Sequence, residues 1–169
     1  MNRPAILVLE DHPVQRLVMV RALETLGHSR ILQATEGEQA LARLAEHGPV
    51  DIVICDIKLP GMDGTAFLRE SSKRGLVKSV ILSSDVSSDL TAAVLHMASL
   101  FGIRVLGDLG KPLKLTRLET LLRRYESDAD QPPGQAPAAP VFVPTAADIQ
   151  GGLGRGEFIP YFQPKFDIR

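Results

Sequence analysis

The chain has 169 residues, 44% of them apolar, a formal net charge of −1 and a single cysteine. That suffices for one ordinary domain with a real core plus an appendage. A near-neutral balance without charged blocks argues against nucleic acid or an anionic membrane as partner, and a lone Cys55 excludes a disulfide framework and fits a reducing compartment.

Met1-Asn2-Arg3-Pro4 leads into an apolar run too short for a signal peptide. No run approaches the roughly 20 residues of a membrane span, so the cytoplasm is the expected location. Ala5-Ile6-Leu7-Val8-Leu9 reads as a strand ending on Glu10-Asp11. Pro13 suits a helix's first turn, and Val14, Val18, Ala22 and Leu26 recur at helical spacing before Gly27. Ile31-Leu32-Gln33-Ala34 is a shorter strand. Thr35-Glu36-Gly37-Glu38 has capping-box spacing and opens a helix through Leu41, Leu44 and Ala45. Ile52-Val53-Ile54-Cys55 is a buried strand whose β-branched residues end on Asp56. The turn residues Pro60, Gly61, Asp63 and Gly64 follow.

A third helix is expected from about Gly64 to Arg74, with Phe67 and Leu68 inward. The fourth strand, Val77 to Leu82, ends on Ser83-Ser84-Asp85. A fourth helix carries Leu90, Ala93, Val94, Met97, Leu100 and Phe101 as one apolar stripe, expected to be core. Ile103-Arg104-Val105-Leu106 is the fifth strand, followed by Gly107-Asp108-Leu109-Gly110-Lys111-Pro112. A last helix aligns Leu115, Leu118, Leu121, Leu122 and Tyr125. Strands alternating with helices predict an α/β fold, a five-stranded parallel sheet with helices on both faces. Residues 127–145 form a Pro/Ala-rich linker. Over 146–169, Thr145 caps a predicted short helix through Ile149 and Leu153, and Phe158 to Phe166 reads as the start of a strand.

Parallel strands place all their carboxyl ends along one edge. Glu10 and Asp11, Asp56, Ser83 and Lys111 therefore gather there. Clustered carboxylates raise one another's pKa, and a divalent cation relieves the repulsion. Mg²⁺ prefers oxygen ligands and uses a few carboxylates plus a phosphate; the Lys58 carbonyl offers one more ligand. Lys111 supplies a point charge and Ser83 a hydroxyl, the parts that phosphoryl transfer needs, with Asp56 as nucleophile.

With Leu9-Glu10-Asp11, Cys55-Asp56, Pro60-Gly61-Met62-Asp63-Gly64, Leu82-Ser83-Ser84 and Gly110-Lys111-Pro112 in place, residues 4–126 resemble a response regulator receiver domain of two-component systems. The resemblance implies the flavodoxin-like (βα)5 receiver fold and a phosphoryl group passed to Asp56 from a sensor histidine kinase. It also implies Mg²⁺ held by Glu10, Asp11 and Asp56, with Ser83 and Lys111 sensing the acyl phosphate. In the tail, Gly156-Glu157-Phe158 and Tyr161-Phe162-Gln163-Pro164 resemble the opening of an EAL domain, a cyclic di-GMP phosphodiesterase. The Glu-Ala-Leu motif is absent. The expectation is a non-enzymatic piece of a longer receiver–EAL regulator, whose parent is the phosphodiesterase.

The alternatives are a receiver-shaped interaction or dimerisation module that is not phosphorylated, and a metal-dependent phosphatase using Asp56. The phosphatase reading lacks a second acid at Lys58 and lacks a cap insertion. Gly107 to Lys111 fails as a phosphate loop because Pro112 stands where Ser or Thr is required. His12, His28, His47 and His96 are too scattered for zinc. Two departures from the receiver pattern stand out. Asp108 occupies the place of the usual aromatic switch, and the Ser83–Lys111 stretch is several residues longer than is usual in receivers. Output through a remodelled helix-four face, by homodimer contacts, is the resulting expectation. Lys58 and Asp85 are expected to face each other across the site as an ion pair.

Overall fold

Short aliphatic runs alternate with helical segments through the whole of residues 3–127, the part that the computed structural model describes. In order they are β1 (Ile6–Leu9), α1 (Pro13–Thr25), β2 (Ile31–Ala34), α2 (Gly37–His47), β3 (Val50–Cys55), α3 (Gly64–Lys73), β4 (Val77–Leu82), α4 (Ser88–Leu100), β5 (Arg104–Asp108) and α5 (Leu115–Ser127). The strands pair in parallel in the order β2-β1-β3-β4-β5. This is the expected flavodoxin-like (βα)5 architecture. The linker at 127–145, beyond its first residue, and the whole of 146–169 with its predicted helix and strand lie outside the described residues.

Strand periodicity divides the core in two. Leu7, Leu9, Val53, Cys55, Val80 and Leu82 face one layer with Leu44, Phe67, Leu68, Val94 and Ala98 from α2, α3 and α4. Ile6, Val8, Ile52, Ile54 and Ile81 face the other, against Met19, Val20 and Leu23 of α1 and Leu118, Leu121 and Leu122 of α5. Central strands covered on both sides need unbroken apolar runs, which is why β1 and β3 carry no polar alternation.

Three local expectations are corrected. Only the first half of the α1 stripe is turned outward: Val14 is 61% exposed and Val18 is also exposed, whereas Ala22 and Leu26 pack half-buried against the core beside Met19, Val20 and Leu23. In α4 only Val94 and Ala98 are fully buried; Leu90 and Met97 are exposed and Leu100 is 71% exposed. Thr35 does not cap α2. Its N–H donates to Gln39 Oε1 at 2.7 Å, and Glu36 takes the cap position without a side-chain bond.

β5 also runs further than expected. Its register against β4 slips between Val80 and Ile81, whose partners are Val105 and Gly107, so Leu106 is an extra residue. Gly107 sits at φ +142, and a Cβ there would lie 2.9 Å from Leu121 Cδ2. The bulge thus needs glycine for both backbone and packing reasons. On the outer side of β5, Arg117 Nε donates to the Asp108 carbonyl at 2.6 Å and Arg124 Nη1 to the Leu106 carbonyl at 3.2 Å.

At the amino edge of the sheet, Asp51 ties three strands. It accepts from the Ala5 N–H at 2.8 Å and from Lys78 Nζ at 2.8 Å. Burial works against its ionised form, but the Lys78 and Ala5 hydrogen bonds prevail and hold its carboxyl below the usual range. A carboxyl depressed in the folded state stabilises above its unfolded pKa and ceases to do so as pH falls through the folded value. Asp51→Asn is therefore expected to cost about 1 kcal/mol at neutral pH and almost nothing well below pH 4. Urea denaturation of both proteins across that range measures it, and a pH-independent difference would refute it.

Candidate phosphoryl-accepting site

Strand order reverses between β1 and β3, since the chain leaves β1 toward β2 and returns on the far side to β3. Such a switch point opens a crevice above the carboxyl edge. Ladder bonds continue past the strand ends and fix what stands there. Asp56 N–H donates to the Leu9 carbonyl at 3.0 Å, Ser83 N–H to that of Cys55 at 2.9 Å, and Leu109 N–H to that of Leu82 at 2.7 Å.

Glu10 and Asp56 are buried in this crevice and Asp11 is exposed at its rim. One carboxylate oxygen from each lies within 4.8 Å of the others. Arg16, in the first turn of α1, fastens the acidic pair by donating to the carbonyls of Glu10 at 2.8 Å and Asp11 at 3.2 Å. Lys111 Nζ donates to Asp56 Oδ2 at 2.7 Å and to Glu10 Oε2 at 3.0 Å. Asp56 Oδ1 accepts from the Ser84 hydroxyl at 2.7 Å and from the Lys58 N–H at 3.0 Å.

The electrostatics of the cluster are lopsided. Burial pushes the Glu10 carboxyl above its ordinary range even though Lys111 pulls it down. Burial alone would lower Lys111, but its hydrogen bonds to Asp56 and Glu10 outweigh that and raise it. The ammonium is thus firmly held. Three carboxylate oxygens gathered this closely, with hard-ligand chemistry and no sulfur or imidazole among them, fit a hard divalent cation.

Asp63 caps α3 by accepting from the Ala66 N–H at 2.8 Å, which starts the helix immediately after the loop. Gly64 makes that turn possible. A Cβ there would stand 2.3 Å from the Asp56 carbonyl oxygen and 3.0 Å from Cys55 Sγ. Backbone cannot rotate out of the way, so Gly64→Ala is expected to destabilise by about 2–3 kcal/mol and to displace Asp56. Thermal melting together with phosphoryl-labelling rates tests both; a fully labelled, equally stable variant would contradict the expectation.

The model of the response regulator receiver domain matches residues 6–123. The chain belongs to the receiver domain family. A curated relative, the cyclic di-GMP phosphodiesterase RocR of Pseudomonas aeruginosa, is 48% identical over 98% of this chain, which spans 42% of that protein. Among solved structures, the receiver domain of an HD domain-containing protein from Pseudomonas fluorescens superposes with a TM-score of 0.65 at 26% identity. It covers 77% of this chain and 100% of its own. The receiver domain of NtrX from Brucella abortus gives 0.59 at 28% identity, covering 72% and 98%.

Within this receiver domain the expected site residues converge at one crevice, with refinements. Among the described residues it is Ser84 whose hydroxyl reaches Asp56, whereas Ser83 lines the adjoining cleft of about 450 Å³ with Glu10, Val18 and Lys111. Two serines in a row at a strand end gave no means of choosing between them. Lys58 contacts Asp56 through its N–H rather than its side chain. Asp85 is exposed and lines the clefts on both sides of Lys111. No ion pair joins it to Lys58 among the described residues, so that expectation is corrected; the Lys58 side chain is exposed to water instead. Asp108 is half-buried and turned onto its own loop, its Oδ1 accepting from the Gly110 N–H at 3.1 Å. No described helix is long and apolar enough to cross a membrane.

Proposed function

We propose that Asp56 accepts a phosphoryl group from a phosphohistidine of a sensor kinase, in a Mg²⁺-dependent reaction. The observation that carries this reading is the two-sided grip on one buried carboxylate, with Lys111 on Oδ2 and the Ser84 and Lys58 donors on Oδ1, beside two further acids. An Asp56 oxygen forms the new O–P bond as the P–N bond breaks, and the released imidazole takes up a proton. Glu10, Asp11 and Asp56, with the Lys58 carbonyl, would hold Mg²⁺. When bound, the ion offsets the charge of the carboxylates and the phosphoryl oxygens. Lys111 is placed to follow the transferred group, and the Ser83 and Ser84 hydroxyls stand beside it as hydrogen-bond donors.

The outward apolar residues Val14 and Val18 of α1 adjoin the crevice next to Pro112 and Leu113, and Leu17 is exposed on the same helix. They are the surface on which the kinase would dock. The likeness to RocR, together with the tail motif at 156–164, supports a cytoplasmic regulator whose receiver governs an attached EAL cyclic di-GMP phosphodiesterase. The exposed Leu90, Met97 and Leu100 of α4 favour a second reading, a homodimer formed through that helix. Incubation with acetyl phosphate and Mg²⁺ tests the leading proposal. One phosphoryl group per chain is expected, lost on alkaline treatment and absent with EDTA. A chain that stays unlabelled with Mg²⁺ present would leave only the interaction-module reading.

A further inference from the structure

Asp108 carries a carboxylate to which the phosphoryl-accepting chemistry gives no part. It is the last residue of β5 and pairs in register with Leu82 at the end of β4. Its backbone is anchored on both sides. The Asp108 carbonyl accepts from Arg117 Nε at 2.6 Å, and the next residue, Leu109, is buried and donates its N–H to the Leu82 carbonyl at 2.7 Å. Gly110 alone separates this fixed strand end from Lys111. It stands at φ +68, and glycine can leave that region for others at little cost. Its N–H, however, donates to Asp108 Oδ1 at 3.1 Å. An Asp side chain that accepts from the N–H two residues on closes a turn and removes that freedom.

We propose that Asp108 is a positioning residue for Lys111, its side-chain oxygen locking the Gly110 turn that delivers the ammonium to Asp56. Lys111 Nζ has to meet two acids at once, Asp56 Oδ2 at 2.7 Å and Glu10 Oε2 at 3.0 Å. A lysine stem is flexible, so its aim depends on where the backbone starts it. Freedom at Gly110 would add to the freedom of the stem, and holding both against the acids would cost more entropy. The role needs an acceptor and no charge. A purely electrostatic role makes the opposite prediction. Asp108 and Lys111 line one cleft of about 400 Å³ beside Ser84 and Asp85, and a carboxylate acting by charge there would draw the ammonium away from Asp56. Removing it would then strengthen the grip. The effect of Asp108 on labelling rests on the phosphoryl-accepting reading; its effect on the hold of Lys111 does not.

The test uses the whole chain and two variants. Asp108→Ala removes the acceptor, and Asp108→Asn keeps an amide oxygen in its place. Labelling by acetyl phosphate at saturating Mg²⁺ should be about tenfold slower in Asp108→Ala and within about twofold of the parent in Asp108→Asn. Urea midpoints give a second readout that needs no phosphoryl chemistry. Lys111→Met should lower the midpoint by about half as much in the Asp108→Ala background as in the parent, because Lys111 is already loosened there. In the Asp108→Asn background the full drop should return. Midpoint effects of Asp108→Ala and Lys111→Met that simply add overturn the proposal. So does an Asp108→Asn chain that behaves like Asp108→Ala, or an Asp108→Ala chain that labels as fast as the parent or faster. A parent that does not label removes the phosphoryl-accepting reading, and the midpoints then decide the role of Asp108 by themselves.

Discussion

Lys111→Met is expected to destabilise the domain more than any other change at the crevice, and Mg²⁺ is expected to restore much of the loss. The side chains of Glu10 and Asp56 are 4% and 7% exposed, and that of Lys111 19%. Removing the ammonium leaves two carboxylates nearly out of water with no cation, and breaking a buried pair in this way costs about 3 kcal/mol. The deficit depends on pH with a definite sign. Glu10 already has a raised pKa, and without Lys111 it rises further. A carboxyl raised on folding destabilises the native state above that pKa, and the penalty disappears as pH falls through it, because the native state then takes up the proton first. The loss should therefore be largest at neutral pH and shrink toward pH 5. Urea denaturation with and without MgCl2 at the two pH values measures both effects. A variant as stable as the parent, or one indifferent to Mg²⁺, would show that the carboxylates are not the cation site.

Asp56→Asn is expected to abolish labelling by acetyl phosphate while leaving the fold intact. The amide oxygen can keep the Ser84 and Lys58 donors that Oδ1 now holds. The amide nitrogen replaces the oxygen facing Lys111, so that ion pair is lost and Lys111 keeps only Glu10. An amide is neither an adequate nucleophile nor a charged metal ligand, so labelling should fall to background and Mg²⁺ affinity should drop together. Labelled Asp56→Asn protein would place the acceptor elsewhere. Circular dichroism of the same sample separates lost chemistry from lost structure.

The crevice was legible because parallel topology converts sequence order into spatial convergence. Once alternating elements imply a parallel sheet, every residue just after a strand belongs to one edge, and Glu10, Asp11, Asp56, Ser83 and Lys111 needed no further information. Helix faces were harder. α1 carries Val14, Leu17 and Val18 on one side and Met19, Val20 and Leu23 on another, so its periodicity is compatible with either side inward. The packing of Ile6, Val8 and Ile52 against Met19 and Leu23 settles the matter, and that is a tertiary fact. α4 misled in the same way, since its stripe is apolar but only Val94 and Ala98 are fully covered. The Ser84 contact was hidden because strand alternation ceases to apply after Leu82. The extension of β5 was hidden because Gly107, which the bulge requires, reads equally well as the end of the strand.

The guanidiniums along β5 have an effect on assembly. A sheet of this kind has two margins, and at one of them Arg117 and Arg124 occupy the carbonyls of Asp108 and Leu106. Among the described residues the β2 margin has no such side-chain donors on its carbonyls. Fibre growth by strand addition requires every molecule to offer two usable margins, one for the copy ahead and one for the copy behind. A domain sealed on one side can join a single neighbour through β2, and the chain of additions ends there.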